Sequence, residues 1–492
     1  MSDDPAFASG ATSISSKYVR MLDVRTYVHL LVILVLLLID FVPRFYQGDS
    51  LQYVRSDLDR WLPPERSWSF GLAVNFLLRY THGYSSFLII QAIVLGCIAI
   101  AARRFFQKFP EWQLAYSLTA IALCADPLLE SYTRFYMTDF PAAAFFIVSL
   151  IGLQSALDPD ANRSVAARGF CVFLFATIAT IFLRIAYLPI LELTLLGIAL
   201  CRWSRRSAAG WTLAAAAVMP FLAVGILAGT NSIAFSKWFP GEVFVNKLSG
   251  IMLASTFAPA LQMTDFEKAG IPITPEEFSN LDLGDYDRRL AHTWSASTEY
   301  LGYFLQKKLH VNNVDKQFDA AATRLVTNAF LRNPGSFVEV YAKTGWNYLK
   351  PNLWKNHIDE EMGIRPLPDE FVDYFNTFSV TKLVPSISEL KSPLVLISEQ
   401  AAPIYPALLG VGCLAGLFLL LREGGRPCVP ILCSALFADL LAVPLYSVYT
   451  IPRFLLAGIF VSYLLVGLAA LSLLSSNVRI GSGGFFRPRG QS

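Results

Sequence analysis

The chain has 492 residues, of which 54% are hydrophobic and only 16% charged, where a soluble domain carries about a quarter charged residues. A water-soluble globular protein is therefore excluded. The net charge of +3 is too small for a nucleic-acid surface and suits a membrane protein with basic cytoplasmic loops.

Residues 1–16 are polar and Ser-rich and read as a disordered cytoplasmic tail. Lys17, Arg20 and Arg25 then precede the apolar run 27–42. This resembles the charged and apolar parts of a signal peptide, but no small-residue cleavage site follows, so the run reads as a retained anchor. Apolar runs that predict spans fall at 27–43, 86–102, 112–125, 140–157, 169–184, 187–202, 211–230, 402–421, 427–445 and 454–475. As one helix, 169–202 would measure roughly 50 Å against a hydrocarbon core of about 30 Å. It divides best near Arg184, with Pro189 soon after.

The basic residues test that division. With the N-terminus inside, the cytoplasmic connections carry Arg103, Arg104 and Lys108; Arg163 and Arg168; Arg202, Arg205 and Arg206; Arg422 and Arg426; and a tail with Arg479, Arg487 and Arg489. Each is basic, as the positive-inside rule expects. The expectation is an all-α polytopic bundle of about ten spans with both termini cytoplasmic. Residues 17–230 form an N-terminal membrane module of seven spans with a first outer loop 44–85, and 231–400 form a mainly helical extracytoplasmic domain. Residues 401–492 hold the last three spans and a cytoplasmic tail.

The stretch 231–400 holds 20 of the 37 acidic residues and none of the seven cysteines, which excludes a disulfide framework there. Phe318, Ala322, Leu325, Ala329 and Phe330 recur at helical spacing, as do Phe337, Tyr341, Gly345 and Tyr348 after the Asn333-Pro334-Gly335 break. Trp346, Tyr348 and Trp354 beside Lys343 and Lys350 predict a helix lying at the membrane interface. The five histidines show no HExxH or paired spacing, so no metal is expected. No Gly-rich phosphate loop or internal repeat is visible, and no cofactor is implied.

Four short motifs carry candidate chemistry. Tyr46-Gln47-Gly48-Asp49-Ser50-Leu51-Gln52-Tyr53 follows the first span, and Met137-Thr138-Asp139-Phe140-Pro141 opens the fourth. Leu331-Arg332-Asn333-Pro334 joins two helices, and Ile451-Pro452-Arg453-Phe454 opens the last span. Together with the architecture, these resemble the GT-C-fold glycosyltransferases that use lipid-linked sugars, among them protein O-mannosyltransferases and aminoarabinose transferases. Two departures stand: Ser50 follows Asp49 where the family often has a second acid, and the hydrophilic region lies between the seventh and eighth spans.

The resemblance implies a sugar transferred from a polyprenyl-phosphate donor to an extracytoplasmic acceptor (lipid, glycan or protein), in a bacterial inner membrane, with Asp49 and Asp139 catalytic. Such chemistry needs a carboxylate to take the acceptor's proton and cations to hold a phosphate whose charge grows as it departs. Arg453 and Arg184 fall at helix ends on the outer side; Arg134, Lys343, Tyr53 and Glu130 complete the candidate substrate- and phosphate-binding set. Each has a plainer reading. Asp49 serves equally as a turn residue after Gly48, Asp139 as a helix cap, and the arginines as snorkelling groups; Lys343 and Lys350 have the character of headgroup contacts. Asp57, Asp59 and Asp126 read as solvated, and Asp439 as the one deep carboxylate, the residue a transporter or flippase would use. An O-antigen ligase or polymerase is the other enzyme alternative, and a scaffold the last.

Overall fold

The structure, a computed structural model, describes residues 27–46, 49–203, 210–362, 367, 369–383, 393–448 and 451–481. The tail 1–16, Lys17, Arg20, Arg25, Arg205, Arg206, Arg487, Arg489 and the Gln47-Gly48 part of the first outer motif lie outside them.

Seven helices among the described residues are long and apolar enough to cross a membrane: Tyr84–Phe106, Asp139–Leu157, Arg163–Leu183, Gly210–Ala234, Ile404–Glu423, Cys428–Tyr446 and Pro452–Leu474. Three shorter apolar helices, Val28–Ile39, Trp112–Cys124 and Tyr187–Trp203, occupy the remaining apolar runs. The protein is all-α and polytopic, and its extended pairing among the described residues is confined to isolated bridges. The 169–202 run breaks at Arg184, which caps Arg163–Leu183 in an extended conformation before Tyr187 opens the next helix.

Asp139–Leu157, Cys428–Tyr446 and the last span form the middle of the bundle, buried over 78%, 78% and 72% of their apolar length; Gly210–Ala234 is buried over only 22%. That peripheral helix turns Trp211, Val218, Phe221 and Ile233 outward, an apolar surface that only lipid or a partner would cover. Small residues set the closest approach. A Cβ on Gly152 would come within 2.5 Å of the Phe173 backbone nitrogen and 2.8 Å of the Gly169 carbonyl. Asp139–Leu157 and Arg163–Leu183 therefore pack backbone to backbone.

The hydrophilic stretch 231–400 shares itself among three cores. Leu248, Ile251, Phe266, Leu301, Phe318, Leu325 and Val340 close one of their own. Tyr348, Trp354, Ile358 and Val395 join the bundle core, and Phe371, Val372, Phe375 and Leu383 pack with Tyr53 and Phe70 of the 44–85 connection and Phe87 of Tyr84–Phe106. The two periodic patterns form Lys316–Arg332 and Pro334–Asn347, broken at Asn333. Arg332 grips the fully buried Asp265 through two bonds, Nε to Oδ1 at 2.8 Å and Nη2 to Oδ2 at 2.9 Å.

The interfacial reading of the aromatic cluster needs correcting. Trp346 is exposed, but Tyr348 and Trp354 are buried, and the Trp354 indole donates to the Tyr348 carbonyl at 2.8 Å. Trp354 stacks on Tyr405, and the Tyr348 hydroxyl pairs with Ser447, so both rings are held within the bundle.

Candidate functional site

The connections 44–85 and 126–139 are tied by backbone pairing. The Arg44 amide donates to the Arg134 carbonyl at 2.8 Å, and the Tyr136 amide donates to the Arg44 carbonyl at 3.0 Å. Ser50 extends the tie, accepting from the Tyr46 amide at 2.9 Å and donating to the Tyr136 carbonyl at 3.1 Å. The Tyr53 hydroxyl lies 3.3 Å from Thr138 Oγ1. Beyond this clamp each chain turns into a helix, Asp49–Arg55 in one and Asp139–Leu157 in the other, so Asp49 and Asp139 each open a helix on neighbouring paths. The cap position of the second helix is Thr138, one residue before Asp139. Both acids sit where unpaired backbone N–H groups favour negative charge.

Arg453 joins them. It lies in the short 3-10 turn Pro452–Leu455 that leads into the last span. Its guanidinium reaches Asp49 Oδ2 at 3.9 Å, Asp139 Oδ1 at 3.7 Å and Glu361 Oε1 at 3.4 Å. Tyr46 and Phe454 lie against it, at 4.9 and 5.6 Å. Asp49 has a second cation, Arg66, at 2.5 Å, and Asp139 is bonded to Arg184. Glu361 accepts from the Tyr132 hydroxyl. Three carboxylates and three guanidiniums thus balance in a site where the acids are 6%, 2% and 1% exposed.

Arg66 and Arg184 keep 22% and 19% of their side chains exposed, so the cationic side is the accessible one. Asp139 Oδ2 and Glu361 Oε1 are buried without a hydrogen-bond donor among the described residues. An unsatisfied buried acceptor is costly, and a substrate hydroxyl would satisfy either. Burial pushes the Glu361 carboxyl up to about 7, against the pull of Arg453, and pushes the Tyr53 phenol up to about 12.

Arg134 and Glu130 belong to a different network. Arg134 is 1% exposed and donates to the carbonyls of Asp40 and Leu36 at 2.8 and 3.0 Å and to Glu130 Oε2 at 2.7 Å. Its donors are spent bracing the end of the first helix. Burial also raises the Glu130 carboxyl to about 7. Lys343 is exposed and lies 3.4 Å over the Tyr286 ring, in the outer core rather than at the cluster. Asp126, read as solvated, is 3% exposed. It caps Pro127–Tyr132 through the Leu128 and Leu129 amides and accepts from Tyr463 at 2.7 Å. Asp57 pairs with Arg79 at 3.1 Å, and Asp59 is exposed. No group of three or more His, Cys, Asp or Glu among the described residues could hold a metal.

Sequence reasoning missed Arg66 and Glu361. Arg66 follows Pro63-Pro64-Glu65 in a polar loop, and Glu361 ends an Asp-Glu-Glu run on a helix with no apolar signature. Neither carries a periodic signal that marks it as buried.

The meeting of these charges also bears on which shorter helices cross. If each of the seven long helices crosses once, Asp49, Asp139, Arg184 and Arg453 share one side only when Trp112–Cys124 and Tyr187–Trp203 cross as well. Val28–Ile39 leads into the site from the N-terminal side.

No family model and no curated protein matches the chain. Two solved structures do: the crystal structure of ArnT from Cupriavidus metallidurans in the apo state, and the same protein bound to undecaprenyl phosphate. Each is 15% identical, over 96% of this chain and 80% of that one, with TM-scores of 0.31 and 0.30. Likeness at that level transfers neither activity nor residue roles.

Proposed function

We propose that the protein is an integral-membrane glycosyltransferase that moves a sugar from a polyprenyl-phosphate donor to an extracytoplasmic acceptor. The observation that carries the reading is the convergence of Asp49, Asp139 and Glu361 on Arg453, with Arg66 and Arg184 flanking, at one end of the bundle. A lipid phosphate and a water-borne acceptor meet at such a boundary. Asp49 takes the acceptor hydroxyl's proton as that oxygen bonds to the anomeric carbon. The bond from that carbon to the phosphate oxygen breaks, its electron pair stays with the phosphate, and Arg453 with Arg184 and Arg66 stabilises the growing charge. Attack opposite the leaving group inverts the anomeric centre. Asp139 holds Arg184 and Arg453 in place, and Tyr53 lines the Asp49 side.

In this reading the membrane is a bacterial inner membrane, with both termini cytoplasmic and the charged cluster outside. Asp439 is fully buried in the middle of the bundle; its Oδ2 accepts the Gly458 amide at 2.7 Å, at the start of the last span, while its Oδ1 has no hydrogen-bond donor among the described residues. That bond makes it a helix-end partner.

The test compares glycolipids and surface polysaccharides of wild-type, deletion and Asp49→Asn strains. The expected result is that Asp49→Asn reproduces the deletion while the protein is present at normal levels. A full glycan profile in Asp49→Asn would refute the mechanism and favour a ligase-type enzyme.

A further inference from the structure

The three acids at Arg453 are not equivalent. Asp49 keeps Arg66 and Asp139 keeps Arg184, whatever Arg453 does. Glu361 has no ion-pair partner other than Arg453 among the described residues; its remaining bond comes from the neutral Tyr132 hydroxyl. It is also the most buried of the three, at 1% exposed. A phosphate arriving on Arg453 competes with all three carboxylates, but Asp49 and Asp139 each keep a second ion-pair partner while Glu361, among the described residues, has none. A buried carboxylate without a cation is strongly penalised in its charged form and takes a proton instead.

We propose that Glu361 takes up a proton when a phosphate docks on Arg453, which makes donor binding proton-coupled. The proposal rests on the reading of Arg453 as the phosphate-binding residue. One anion enters, one proton is added to the Glu361 carboxylate, and the net charge of the site stays where it began. Glu361 acts through Arg453 and is a positioning residue: in its charged form it occupies the guanidinium, and in its neutral form it yields it. Its carboxyl already stands at about 7, because burial outweighs the pull of Arg453 and the Tyr132 bond. Little is then needed to protonate it near neutral pH.

The surroundings contain the other charges that bear on it. Arg453 faces it from the last 3-10 turn, with Asp139 and Arg184 behind and Tyr132 and Tyr348 at its sides. Helix Pro393–Ala401, packed against the Glu361 helix, has Glu399 as its one titratable residue. Ile404–Glu423 turns Tyr405 toward Trp354 of that helix. None of these supplies Glu361 with a second paired cation.

The experiment measures the affinity of the purified full chain in detergent for farnesyl methyl phosphate, a phosphodiester whose single charge does not change across the range used. In the wild type, Kd is expected to rise about tenfold per pH unit above the Glu361 titration, the signature of one coupled proton. Glu361→Gln should bind at alkaline pH as tightly as the wild type does in acid, with no slope. Tyr132→Phe, which keeps the acid and removes one bond to its charged form, should move the onset of the slope to higher pH. Calorimetry in two buffers of different ionisation enthalpy should read uptake of about one proton in the wild type and none in Glu361→Gln. Wild-type binding that is flat with pH, or a slope that survives Glu361→Gln, overturns the proton coupling alone. Failure of every form to bind the probe at any pH overturns the transferase reading with it.

Discussion

Replacing Arg453 by methionine removes the guanidinium but keeps much of its apolar bulk. Asp49 and Asp139 retain Arg66 and Arg184, so the electrostatic cost falls on Glu361. In the intact protein its carboxyl is raised from 4.5 to about 7. A raised carboxyl favours the folded state least at high pH: the penalty is absent below the unfolded value, grows through the window, and is constant above about pH 7. At about 1.4 kcal/mol per pH unit, that constant penalty is on the order of 3 kcal/mol. Without Arg453 the folded value climbs further, so the penalty keeps growing above neutral pH. The variant should match the wild type's pH dependence up to about pH 7 and then lose about 1.4 kcal/mol more by about pH 8. For a chain of this length that is a shift of roughly 1–2 °C in melting temperature. Thermal unfolding in detergent, followed by tryptophan fluorescence at about pH 6 and pH 8, reads it without any substrate. Adding Glu361→Gln to the variant should reduce the difference between the two pH values to that of Glu361→Gln with Arg453 intact, the remainder coming from groups such as Glu130. An equal loss at both, unchanged by Glu361→Gln, would refute the assignment of Arg453 as the countercharge of Glu361.

Asp265→Asn should destabilise the outer core by about 3 kcal/mol, because it leaves Arg332 facing an uncharged partner in a buried bidentate site; limited proteolysis of 248–340 should accelerate, while an unchanged cleavage rate would count against it. Asp439→Asn keeps an oxygen for the Gly458 amide and should leave glycan transfer intact, whereas Asp439→Leu should lower the yield of folded protein; loss of function in the asparagine form would revive the transporter reading. Gly152→Leu should cost about 2 kcal/mol or more, since its Cβ would meet backbone rather than a movable side chain, and the readout is the fraction recovered as a monodisperse peak from detergent extracts.

The bundle was legible because lipid-facing helices must be apolar along their length, and the break at Arg184 followed from the length limit of a single crossing. Short motifs resembling the GT-C enzymes, together with a place near span ends, brought Asp49, Asp139 and Arg453 under suspicion, and position brought Arg184. Their partners were not legible. Arg66 and Glu361 lie in polar segments where most charges face water, and nothing local separates the one that turns inward. Asp126 was readable in hindsight: Asp126-Pro127 is a strong cap-plus-N1 pair, and a capping acid between two helices is shielded from water. Tyr348 and Trp354 were misplaced because an aromatic beside a lysine looks the same whether it lies on lipid or under a loop. Arg134 entered as a phosphate ligand on charge alone, and its donors go to carbonyls that the sequence could not locate.

The pairs at the charged cluster differ in when synthesis makes them available. Asp49 and Arg66 emerge from the ribosome close together, and Asp139 meets Arg184 after one further hairpin. Glu361 has to wait for Arg453, at the threshold of the final crossing. A chain halted before that crossing would lack the one cation that pairs with Glu361 among the described residues. The last crossing is therefore the element that completes the charge balance of the cluster.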